Sequence, residues 1–164
     1  MVVEFAGPIL VAALVAMALL VKINARLRGH VQINQPPGTT FDFISDPRNT
    51  PRWNPRIHAV EPEVSGPVRL GYCYRYEVRG GGRVIPCTAE VVEYEPARRI
   101  VTSAILGGSI KNVFGYSVDP SGAGSLLTGF ADARVSLLHA LVIRTIGTRR
   151  LDANLARMKT ALER

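Results

Sequence analysis

Polar and apolar residues alternate along most of this chain. Residues 71–78, GYCYRYEV, place Tyr72, Tyr74, Tyr76 and Val78 on one face and Arg75 and Glu77 on the other. That period of two marks a strand with one buried face. Residues 30–34, 57–64, 83–96, 98–106, 109–118 and 124–135 carry the same signal. The breaks at Pro96-Ala97, Gly107-Gly108 and DPSGAG (119–124) are short, so the strands they join run antiparallel. After the first strand, residues 36–53 lose the alternation. Thr39 or Thr40 offers an N-cap for one or two helical turns through Ile44, and Asp46-Pro47 ends them. Near the C-terminus the period lengthens. Leu151, Leu155, Met158 and Leu162 form the stripe of an amphipathic helix. An apolar helical stretch, 137–146, leads into it, with Gly147 as a kink point.

The predicted fold is therefore α+β. A curved antiparallel sheet of about six or seven strands is wrapped on one long C-terminal helix, the only long cover for its apolar face. A sheet curved over one helix leaves a wedge of space between them, the natural place for a ligand.

The N-terminus has a different character. Residues 5–21, FAGPILVAALVAMALLV, hold no charge, and at ~1.5 Å per residue they span roughly 25 Å. That falls just short of the ~30 Å hydrocarbon core of a bilayer, but Lys22 can snorkel and Ile23 extends the run. Pro8 sits in the first turn, where its missing N–H costs little. Lys22, Arg26 and Arg28 all follow the segment, so the positive-inside rule leaves the rest of the chain in the cytoplasm. The expected organisation is a single-span anchor at 1–24, a linker at 25–30 and a folded domain at 31–164. The alternative is a signal peptide cleaved after Ala16-Met17-Ala18, with export of the domain. Against it, the only charge before the apolar run is Glu4.

The net charge of +7 comes from seventeen Arg and three Lys. The arginines are scattered, with no basic run and no interleaved aromatics, so attraction to an anionic membrane surface fits better than nucleic-acid binding. Cys73 and Cys87 lie in strands joined by RGGG (79–82). A turn centred on residue 80 would bring the two thiols face to face, and in the cytoplasm they would stay reduced. No Cys or His lies at metal-ligand spacing, so neither a metal nor a cofactor is expected.

Four segments together, in order and spacing, resemble the SRPBCC superfamily, the helix-grip group that includes START lipid-transfer domains and polyketide cyclases/dehydrases. They are FDFISDPRNTPRWNPRI, GPVRLGYCYRY, EVVEYEPARRIV and LARMKTALE. The resemblance covers about residues 31–163. It implies that the two short helices close one end of a cavity and that the loop carrying Trp53 leads into the second strand. Pro51 and Pro55 bracket Trp53 and stiffen that turn, so the indole either plugs the cavity end or simply packs in the core.

The inward tyrosines Tyr72, Tyr74 and Tyr76, with Phe114, Tyr116 and Phe130, suit a ligand with an apolar body and a few polar atoms. Leu155 would supply the helix wall. A turn centred on residue 80 would also face Val84, Thr88, Glu90, Val92 and Tyr94 inward, and a slip of one residue would send Glu90 to solvent. Glu90 and His58 are the candidates for acid–base chemistry, and His139 lies at the start of the last helix. None of them sits in a nucleophile motif. The first expectation is a membrane-anchored domain that binds or transports a lipid or other hydrophobic small molecule. The second is an enzyme resembling polyketide cyclases and dehydratases. The third is a cofactor-free module that holds a protein partner in a membrane complex.

Overall fold

The computed structural model describes residue 17 and residues 19–164. The strands are β1 (Lys22–Ile33), β2 (Ile57–Pro62), β3 (Cys73–Gly80), β4 (Arg83–Glu95), β5 (Arg99–Leu106), β6 (Ile110–Ser121) and β7 (Gly124–Ser136). They form one antiparallel sheet in the order β1-β7-β6-β5-β4-β3-β2. Two short helices, α1 (Pro37–Ser45) and α2 (Thr50–Trp53), fill the gap between β1 and β2. After β7 come α3 (Leu137–Val142), a π-helical turn (Ile143–Gly147) and α4 (Thr148–Leu162). His139 falls in α3.

Two local expectations change. β1 begins at Lys22, not at His30, so residues 25–30 are sheet and not linker. Ile23, Ala25 and Leu27 alternate with Lys22, Asn24, Arg26 and Arg28, and this pattern pairs with β7 from Lys22↔Ser136 to Ile33↔Ser125. α1 starts at Pro37, and neither Thr39 nor Thr40 caps it. The Thr40 hydroxyl is instead buried, 2.8 Å from the Ser125 hydroxyl. Gly147 sits where the π-helical turn passes into α4 and keeps helical dihedrals, φ −64° and ψ −44°; a Cβ there would come 2.7 Å from Leu27 Cδ1. The expected membrane span, residues 5–21, lies almost wholly outside the described residues. Among those described, no helix is long and apolar enough to cross a membrane.

Hairpin geometry sets the face of every residue on β3 and β4. Gly81 and Gly82 both take positive φ, +59° and +72°, the two-residue loop whose twist suits a hairpin. Pairing then runs Gly80↔Arg83, Tyr76↔Cys87, Tyr74↔Ala89 and Cys73↔Glu90. The turn is thus centred between Gly81 and Gly82, and the expected centre at residue 80 is wrong in parity. Tyr72, Tyr74 and Tyr76 face inward with Cys87, Ala89 and Val91, all buried. Val84, Thr88, Glu90 and Val92 are exposed. Tyr94 returns to the inner side because the register shifts between Val91 and Glu93. Cys73 and Cys87 are free thiols on opposite faces, not neighbours.

α4 lies over the β1–β7 side of the sheet. Gly29 and Gly129 are directly paired there, and the helix rests on them. A Cβ on Gly29 would come 2.8 Å from an Asp152 carboxylate oxygen and 3.1 Å from Leu155 Cδ1. One on Gly129 would meet Leu151 Cδ1 at 3.1 Å and Leu155 Cδ2 at 3.4 Å. Only the missing side chains let the helix come so close. Ile33, Leu127, Leu155 and Met158 close this region into a dry core. The far end of α4 is tied to the end of β1. Lys159 Nζ donates to Gln32 O at 2.7 Å, and Asn34 N–H donates to the Glu163 carboxylate at 2.7 Å.

Candidate functional site

Away from the glycine pair, helix and sheet diverge and leave a cavity of about 270 Å³. Its floor is the inner face of β3, β5 and β6: Tyr74 and Tyr76, Ile100, Thr102 and Leu106, then Asn112, Phe114 and Tyr116. α1 and α2 close one end with Ile44, Ser45 and Trp53. Leu151 and Asn154 of α4 form the opposite wall.

Trp53 is 4% exposed and meets Tyr116 edge to face at 5.9 Å between ring centroids. Pro51 sits in the first turn of the short α2 and Pro55 follows it, which stiffens the segment that carries the indole. Its Nε1–H is buried and has no hydrogen-bond partner among the described residues. A buried donor left unpaired costs ~1–3 kcal/mol.

The cavity phenols stay protonated. Burial pushes the Tyr74 hydroxyl up to about 12, partly offset by its contact with Thr102. Burial also raises Tyr76 and Tyr116, with the neighbouring Tyr74 adding to both. The site therefore offers neutral O–H groups that can donate or accept, set in an apolar wall. Among the described residues that line it there is no carboxylate and no imidazole.

Of the residues expected from sequence, Trp53, Tyr74, Tyr76, Phe114, Tyr116 and Phe130 border the cavity. Phe130 does so with a qualification. Its register position pairs it with Gly115, and its ring carries the Arg99 guanidinium 4.8 Å from the ring centre. Arg99 also holds Glu93 at 2.8 Å on the outer side of the sheet, so the ring packs there. Tyr72 is buried beside Tyr74, 6.4 Å between rings, but beyond the cavity. Leu155 belongs to the packed core on the glycines. Glu90 is exposed on the far face, for the parity reason given above. His58 lies outside the cavity, its Nε2 3.0 Å from Pro55 O. Among the described residues no cluster is suited to a metal ion.

The mouth residues Asn54, Arg56, Arg150 and Asn154 were not foreseen. They come from the loop after α2 and from the first turns of α4, which only the folded chain brings together. The run Asn54-Pro55-Arg56 beside the lone Trp was the one available signal.

An antiparallel sheet closed by one C-terminal helix around an apolar cavity is the helix-grip architecture. The chain belongs to the polyketide cyclase/dehydrase and lipid transport family, whose match covers residues 24–163. Solved structures agree on the fold. A protein of unknown function from Staphylococcus aureus superposes with a TM-score of 0.72 at 9% identity, covering 87% of this chain and 95% of that one. A protein from Thermus thermophilus gives 0.69 at 12% identity, over 84% and 96% of the two chains. An uncharacterised protein from Rhizobium leguminosarum gives 0.68 at 16% identity, over 87% and 97%. No curated protein shows significant similarity to the chain.

Proposed function

We propose that the domain binds or carries a hydrophobic small molecule or lipid in the cavity between sheet and α4, held at a membrane by the apolar residues 5–21. The supporting observation is the cavity's chemistry: apolar walls and neutral phenols. Such a lining holds an apolar body and orients it through a few hydrogen bonds. General acid–base catalysis would need a titrating group within reach of the ligand, and Glu90 and His58 both stand outside. Family membership supports a hydrophobic ligand and is neutral between carriage and cyclase chemistry. Anchoring rests on the uncharged run and on the three cations that follow it, which also support a cytoplasmic domain.

Native mass spectrometry of the full chain, released from membranes in mild detergent, tests the reading. A co-purifying apolar species that disappears in Ala131→Trp, where the new ring occupies the cavity, is the expected result. Ligand-free protein that also ignores added hydrophobic probes would overturn it.

A further inference from the structure

An apolar ligand does not account for the cavity mouth. Arg56 and Arg150 border both the cavity and an outer groove, and Arg149 and Arg157 line that groove. Among the described residues, no Asp or Glu borders either space. The ion pairs among the described residues include none of these four arginines. Arg56 is half-buried while Arg149, Arg150 and Arg157 are exposed; water screens much of the repulsion between these like charges, and an anion held between them removes what is left.

Arg56 is held in place for the task. It is half-buried, and its Nε donates to Arg79 O at 3.1 Å. Its guanidinium lies against Gly80, where a Cβ would come 2.5 Å from Nη2. That single tether fixes the planar fork and leaves its terminal nitrogens with donors to spare, the geometry that meets a carboxylate or phosphate edge.

We propose that the ligand is a single-chain or compact amphiphilic anion. Its carboxylate, phosphate or sulfate head sits between Arg56 and Arg150, and its apolar body runs inward along Phe114 and Tyr116. Because Arg56 and Arg150 border the cavity itself, the anion they meet belongs to the cavity's occupant. Size limits the body: about 270 Å³ is under twice the roughly 150 Å³ that accommodates benzene, so a short chain or two fused rings fit. This inference rests on the reading of the cavity as a hydrophobic-ligand site, and the experiment separates the two.

Trp53 is the only tryptophan and borders the cavity, so its fluorescence reports occupancy. The full chain is titrated with decanoate, decanol and decyltrimethylammonium. Decanoate should bind about tenfold tighter than decanol, the effect of charge-assisted hydrogen bonds from one half-buried and one exposed arginine, and the cation should bind most weakly. The decanoate-to-decanol ratio should approach one in the double variant Arg56→Gln/Arg150→Gln. It should fall part of the way in Gly80→Ala, which keeps every charge but pushes Arg56 off its seat. Equal affinities in the unmodified chain, or a preference that survives the double variant, would overturn the anion proposal and leave the hydrophobic-ligand reading standing. If none of the three probes binds, that reading fails and the proposal goes with it.

Discussion

One sheet and one helix enclose two regions of opposite character. Where α4 crosses β1 and β7, Gly29 and Gly129 let Leu151 and Leu155 rest on bare backbone, and the space closes. Over β3, β5 and β6 the inward residues are larger, yet the space stays open, because α4 does not reach that far across the sheet. Large side chains do not by themselves fill a core. What decides is how near the covering element is held, and here two residues without side chains set that distance.

The contrast breaks most readily at Leu155. Truncation to Ala removes a side chain that is 2% exposed and flanked by glycines that cannot fill the gap. It should cost ~2–5 kcal/mol in chemical denaturation, a large share of the ~5–15 kcal/mol expected of a domain. A loss near zero would mean that the helix does not grip the sheet there.

Alkali probes the hollow region. The unfolded chain releases its phenolic protons near pH 10, whereas folded Tyr74 holds its own to about 12. Since the folded state then binds more protons, stability should be unaffected below about pH 10 and fall as pH rises through that window. At ~1.4 kcal/mol per pKa unit, the share of Tyr74 is on the order of 2–3 kcal/mol. Tyr74→Phe should blunt the fall, and a denaturation series across the window measures it.

Gly129→Val inserts a branched side chain where even a Cβ sits 3.1 Å from Leu151 and 3.2 Å from Tyr116. Overpacking should cost ~1–3 kcal/mol and lift the helix, altering probe affinity in the cavity as well as the melting temperature. Unchanged affinity would show that the two regions are mechanically independent. Phe114→Ala should be the mildest, about 1 kcal/mol, because its ring already borders open space and truncation enlarges a cavity rather than creating one. A loss matching that of Leu155→Ala would erase the distinction between the regions.

Much of this was legible in the residues themselves. Strands from Ile57 onward, their short turns and the 151–162 stripe follow from periodicity, because burial of one face leaves a direct mark on residue order. The start of β1 was hidden in plain sight. Lys22, Arg26 and Arg28 read as charges flanking an apolar run, although their alternation with Ile23, Ala25 and Leu27 is equally a strand. The face of Glu90 turned on which glycines of Gly80-Gly81-Gly82 form the turn, and three in a row fit either parity. The chemistry of Trp53 and the tyrosines fitted cavity lining and core packing alike; Trp53, Tyr74, Tyr76 and Tyr116 border the cavity, and Tyr72 packs beyond it. Arg56 and Arg150 did not announce the mouth, since nothing periodic links residues so far apart in the chain.

The early start of β1 has a consequence for how the molecule works in place. Leu20 is still helical and Lys22 is already paired with Ser136, while Val21 O accepts the Leu137 N–H at 3.0 Å. A leash of one residue offers at most ~3.6 Å of reach and no room to swing. Leu20 therefore cannot swing free of the sheet, and a pull applied there passes directly to the β1–β7 pair.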